Sequence, residues 1–100
     1  MAVPPFDLAR LPGEWWEVES SDAVEIEHAL RRELPDGHLL HGVNVRAVAV
    51  RRHLKDVVFW LPAVGQWAYV HLTGRGESDP QWPSVVCAPD WDAVVAELAE

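Results

Sequence analysis

Two residue runs, Asp56–Leu61 and Gln66–Thr73, flank Pro62, Ala63, Val64 and Gly65, and this spacing constrains the fold more than any other feature of the chain. Gln66–Thr73 alternates cleanly as a strand does, and Asp56–Leu61 reads as a strand stopped by Pro62. A four-residue turn that opens on proline and closes on glycine joins such runs as an antiparallel hairpin. In that frame Leu61 faces Gln66, Trp60 faces Trp67, Phe59 faces Ala68, Val58 faces Tyr69, Val57 faces Val70 and Asp56 faces His71. Cross-strand neighbours share a side of the sheet. One face therefore carries Val57, Phe59, Leu61, Ala68, Val70 and Leu72. The other carries Asp56, Val58, Trp60, Trp67, Tyr69, His71 and Thr73.

The valine-rich segment Leu39–Arg52 predicts a preceding strand. Its alternation slips a phase between Val45 and Val48, which predicts a bulge near Arg46. Closing the hairpin over Arg52–Lys55 sets Val48 and Val50 on the aliphatic face, and Ala47, Ala49 and Arg51 on the aromatic one. Ser84–Cys87 offers a short edge strand. Upstream, Ala23, Ile26, Leu30 and Leu34 recur at helical steps, predicting a helix over 21–34. Ser20, Ser21 and Asp22 supply capping oxygens, Asp22 and Glu25 have capping-box spacing, and Glu27 and Arg31 form an i,i+4 pair. Pro35, Asp36 and Gly37 end that helix. A last helix follows Asp90, its N-cap, with Trp91, Val94, Val95 and Leu98 as its stripe.

These elements predict an α+β fold: helix, three-stranded antiparallel β-meander with a short fourth strand on offer, and C-terminal helix. Residues 1–13, with Pro4, Pro5, Pro12 and Gly13, read as an extended arm pinned by Phe6, Leu8 and Leu11. Residues 14–100 read as a single compact domain. Within it, Glu14–Glu19 is a short helical turn or a lead-in.

Both amphipathic helices are expected on the aliphatic face, a natural floor for them. The second face is then too apolar to stand bare in water. Three covers satisfy it: the N-terminal arm with Trp15 and Trp16, a second copy of the chain, or a partner or ligand. The same face is the candidate binding surface, made of Trp60, Trp67, Tyr69, His71, Arg51 and Asp56.

Net charge decides among partner classes. At −8 the chain lacks the basic footprint of nucleic-acid or anionic-membrane binders. Residues 1–36 hold nine acids and three bases, residues 37–75 five bases and one acid, and residues 76–100 six acids and no base. Cys87 is the only cysteine, so an intrachain disulfide is ruled out. Beside Val85 and Val86 it reads as a small core residue. No basic n-region or apolar h-region opens the chain, and a cytoplasmic location is expected.

Candidate chemistry is sparse. His38 and His41 have a suggestive interval, but in a strand i and i+3 point to opposite sides, and neither metal nor cofactor is expected. Asp56, His71 and Arg51 cluster on the aromatic face, where a His–carboxylate pair serves as a general base. Thr73 is the one hydroxyl or thiol residue that sequence places beside them. Glu14, Glu17 and Glu19 are expected to be solvated. Trp82, in the loop Gly74–Pro83, is expected to anchor that loop to the body.

Val70, His71, Leu72 and Thr73, then Gly76, then Asp79, Pro80, Gln81, Trp82 and Pro83, then a tryptophan in an acidic closing helix, form a recognisable series. With Gly37–Gly42 and Asp56–Phe59 upstream, it resembles a family of small uncharacterised bacterial proteins of about this length. The resemblance covers most of residues 22–98. It departs at Gly74, where the family usually carries tryptophan, and in the last helix. It implies a fold rather than an activity, and marks His38, His71, Thr73, Trp82 and Pro83 as motif positions.

The leading functional expectation is a non-enzymatic protein-interaction or self-associating module, a homodimer or a protein-bound monomer, acting through the aromatic face. Two alternatives stand beside it. One is an immunity- or antitoxin-like inhibitor that masks a basic toxin surface by charge complementarity. The other is an enzyme or small-ligand binder using Asp56, His71 and Arg51.

Overall fold

The computed structural model describes residues 3–11, 13–51, 56–72 and 83–98. Its strands are β1 (Trp15–Glu17), β2 (Arg46–Arg51), β3 (Asp56–Leu61), β4 (Gln66–His71) and β5 (Ser84–Ala88); its helices are α1 (Ser20–Glu33) and α2 (Trp91–Leu98). The strands form one antiparallel sheet in the order β1-β2-β3-β4-β5. The fold is α+β, with five strands where three or four were expected. Thr73, Trp82 and most of the β4–β5 loop lie outside the described residues, as does the β2–β3 turn at Arg52–Lys55.

The β3–β4 register matches the sequence frame at all six pairs, from Asp56↔His71 to Leu61↔Gln66. β5 continues the meander without interruption, from Trp67↔Ala88 to His71↔Ser84. β1 is the strand the sequence reading assigned to a turn or lead-in. It pairs Trp15 with Arg51 and Glu17 with Ala49, and Val18 N–H adds a bond to Val48 O at 2.9 Å. Because the sheet holds the chain as far as Val18, α1 begins at once. Its N-cap is Glu19, which makes no side-chain capping bond. Ser20, Ser21 and Asp22, expected to cap it, already lie within the helix.

The bulge falls at Val48, with Ala47 opposite Phe59 and Ala49 opposite Val58. This exchanges two expected positions: Val48 joins the aromatic cluster and Ala47 the aliphatic one. One inserted residue reverses the parity of those before it. Val50 packs with the aliphatic cluster and Ala49 with the aromatic one, as expected.

The two faces have different covers. α1 alone takes the aliphatic face, where Leu30 packs with Val57, Phe59, Leu61, Ala68, Val70 and Leu72. α2 does not share that floor; it covers the aromatic face together with the N-terminal arm. Leu11, Trp91 and Val94 join Trp15, Trp60 and Trp67 there, with Val3, Phe6 and Leu8 packed against them. The reason is local. Ala88, the last residue of β5, pairs with Trp67 and shares its face. Only Pro89 and Asp90 intervene before α2, so the helix lands on that side. Asp90 caps it, Oδ1 accepting from Ala93 N–H at 2.8 Å.

The arm is fastened by polar contacts too. Trp91 Nε1 donates to Asp7 O at 3.0 Å, Arg10 is paired with Asp92, and Phe6 lies 5.0 Å from Trp91 and 5.9 Å from Trp67, centroid to centroid. β3, covered on both sides, is buried along its whole length.

Cys87 is exposed rather than a core residue. It pairs with Ala68, so it sits on the face that α1 covers, at the outer strand of the sheet. Among the described residues, the main packing of α1 is against β2, at the other side of the sheet.

Candidate functional site

The hairpin register brings Asp56 and His71 side by side, and the end of β2 places Arg51 against them. Asp56 is 3% exposed. Its Oδ1 accepts from Nδ1–H of His71, and its Oδ2 lies 3.6 Å from a terminal guanidinium nitrogen of Arg51. The Tyr69 phenol, on the same face of the sheet, feels the charge of Asp56. A carboxylate withdrawn from water is tolerable only when partnered in this way. Arg51, Asp56 and His71, three of the sequence-nominated polar residues of the face, therefore form one network, with Tyr69 beside it.

Sequence reasoning missed one member, Glu14, and one neighbour, Ser84. Glu14, expected to be solvated, accepts from Arg51 Nε at 2.9 Å. The pairing of Trp15 with Arg51 brings that carboxylate within reach, and the three-residue strand behind it has no readable periodicity. Ser84 stands opposite His71 on β5 and therefore on the same face, on the flank away from Asp56. Only the β4–β5 register reveals it.

Electrostatics follow from the geometry. Arg51 is held above its ordinary pKa, chiefly by its hydrogen bond to Glu14, with the charges of Glu14 and Asp56 adding. Tyr69 is also raised, first by burial, then by the charge of Asp56. Folding thus favours the neutral phenol. The associated stability is complete below the ordinary phenol value of 10.0 and is lost as pH rises through the raised one. Tyr69 is the only tyrosine, so phenolate absorbance reports it alone. Its midpoint is expected above 10 in the folded chain and to return to the ordinary range in denaturant. A folded-state midpoint at or below the denatured one would refute the network.

The aromatic residues of the proposed face are core residues. Trp60 is 8% and Trp67 3% exposed, their rings 4.9 Å apart, with Trp91 another 4.9 Å from Trp67. Of the three covers left open by the sequence, the structure supplies the arm, joined by α2. His38 is buried and bridges two loops. Leu40 N–H donates to its Nδ1 at 3.0 Å, so Nε2 carries the proton and donates to Pro83 O at 2.7 Å. Two motif positions thus meet in one hydrogen bond. His41 is exposed, 3.3 Å from Asp36. No group of three or more His, Cys, Asp or Glu side chains suited to a metal ion occurs among the described residues.

On the opposite side of β1, a groove of about 410 Å³ runs between that strand and the start of α1, lined by Trp16, Val18, Ile26 and Val50 with Glu17, Glu19, Asp22 and Glu25. Trp16 is half-exposed and all four acids are exposed. No basic residue is in that lining. Among the described residues, no helix is long and apolar enough to cross a membrane. Compared with known proteins, the chain matches no family model, no curated protein and no solved structure.

Proposed function

We propose that the chain is a small non-enzymatic protein-interaction module whose partner presents a basic surface. The observation that carries this reading is the β1–α1 groove. It has an apolar floor, an indole at half exposure and four carboxylates. An aromatic face beside carboxylates suits a lysine or arginine side chain, through cation–π contact and charge pairing. The aromatic cluster serves this function as scaffold rather than as docking surface. An immunity- or antitoxin-like inhibitor of a basic toxin is the specific version, and a cytoplasmic setting agrees with a single unpaired cysteine. The resemblance to small bacterial proteins supports the scaffold alone, His38 and Pro83 being a structural contact within it.

The test uses a hexalysine peptide as probe, titrated calorimetrically at low and high salt. Binding is expected at low salt, weakening by roughly tenfold or more at high salt as exposed charges are screened. It should disappear in Glu17→Gln/Glu19→Gln/Asp22→Asn/Glu25→Gln and persist in Asp36→Asn/Glu97→Gln. Equal binding by both variants, or none by the wild type, overturns the reading.

The enzyme reading has one observation in its favour: Asp56, His71 and Ser84 lie in a row across β3, β4 and β5, with the His71 side chain half-exposed. That is the order of a carboxylate, a base and a nucleophile. It requires Ser84 to be labelled by an activated phosphonate ester and the labelling to vanish in His71→Ala.

A further inference from the structure

The two edges of the sheet are built differently. β1 has three residues, and acidic side chains at Glu14, Glu17 and Glu19 surround it. Short length and charge are the usual protections against edge-to-edge pairing. β5 has none of them. Its five residues, Ser84, Val85, Val86, Cys87 and Ala88, carry no charge and no proline. Its register against β4 runs from end to end without a bulge. Val86 is 41% exposed, Cys87 is exposed, and among the described residues no strand pairs with its far side.

We propose that the outer edge of β5 is a self-association surface, on which a second copy of this chain lays its own β5 antiparallel to form a continuous ten-stranded sheet. Charge selects the occupant. A cationic partner is drawn to the acidic surfaces, not to an uncharged strand. A second copy also bears a net charge of −8 and is repelled wherever carboxylates meet carboxylates. β5 itself adds nothing to that repulsion, because the strand holds none of the 16 acids. Symmetry agrees. A twofold axis through an edge strand generates antiparallel pairing, the pattern of every pair already in this sheet. An axis at Val86 sets Val86 against its twin and Cys87 against the twin's Val85, an uncharged and self-complementary row.

Sedimentation equilibrium in reductant tests this on the full chain. The wild type should show a concentration-dependent monomer–dimer equilibrium. Val86→Lys sets like charges opposite one another across the axis and should weaken association by roughly tenfold or more. Its circular dichroism and melting should stay those of the folded chain, since the side chain is exposed. Two readouts need no variant. The single thiol, Cys87, should react more slowly with a disulfide reagent as protein concentration rises, and amides of Ser84–Ala88 should gain protection from exchange over the same range. A wild type that stays monomeric overturns the proposal. So does a dimer that Val86→Lys leaves intact, or one whose Cys87 reactivity and β5 amide protection do not change with concentration. None of these outcomes bears on hexalysine binding at the β1–α1 groove, so the two proposals fail separately.

Discussion

Replacing Trp67 by alanine is expected to lower the free energy of unfolding by about 3–5 kcal/mol, the range for removing a large buried aromatic side chain. A domain of this size has about 5–15 kcal/mol in all, so the variant should sit near its unfolding threshold. Trp67 meets three separate parts of the chain: Trp60 on β3, Trp91 on α2 and Phe6 on the arm. Its loss removes the floor on which both covering segments rest. The effect should therefore reach beyond a local cavity. Near-ultraviolet circular dichroism should lose its tryptophan signal, and residues 3–11 should become sensitive to protease under conditions that leave the wild type intact. Urea unfolding followed by far-ultraviolet circular dichroism gives the magnitude. Trp67→Phe keeps much of the apolar volume and should cost less. A Trp67→Ala variant with wild-type midpoint and a protected arm would show that the aromatic face is not held together by this contact.

What was legible in the sequence was whatever a period or a short connection encodes. Pro62–Gly65 fixes a four-residue turn, and with it every pair from Asp56↔His71 to Leu61↔Gln66. The Asp56–His71 pair followed from that register, and Arg51 joined it through the expected hairpin over Arg52–Lys55. α1 and α2 were legible from their stripes, and Asp90 as a cap. What a stripe does not state is which face of a two-sided sheet it will meet. For α2 that depends on the direction of Ala88 and on a two-residue link, and both require the position of β5. β1 was illegible because three residues hold less than two periods of alternation. Glu14 was lost with it, since its pairing with Arg51 exists only through the register of β1. The core position expected for Cys87 failed for a related reason: inward parity on a strand buries a side chain only where something lies above it.

Glu27 departs from composition rules as a buried acid of α1, and its removal is the second large effect expected. Its position in the sequence makes it an i,i+4 partner of Arg31. Instead its side chain lies against the sheet, the residue 8% exposed, and Oε2 accepts from the Ala47 N–H at 2.9 Å. Ala47 immediately precedes the bulged residue Val48, so the carboxylate supplies an acceptor where the β2 ladder is irregular. Glu27→Ala leaves a buried amide unsatisfied and opens a small void, at an expected cost of about 2–3 kcal/mol. Glu27→Gln keeps an acceptor oxygen in the same place and should lose about half as much or less. Amide exchange separates this from a general loosening of α1. The Ala47 amide should lose protection in Glu27→Ala and retain it in Glu27→Gln, while the β3–β4 amides stay protected in both. A wild-type urea midpoint for Glu27→Ala would mean that the bulge holds without the helix. The consequence of losing the bulge is specific: a continuous ladder would return Val48 to the α1 side and Ala47 to the tryptophans, underfilling the aromatic cluster and overfilling the aliphatic one. α1 thus does more than cover a face, because the residue that reaches through its buried stripe helps decide which β2 side chains enter which half of the core.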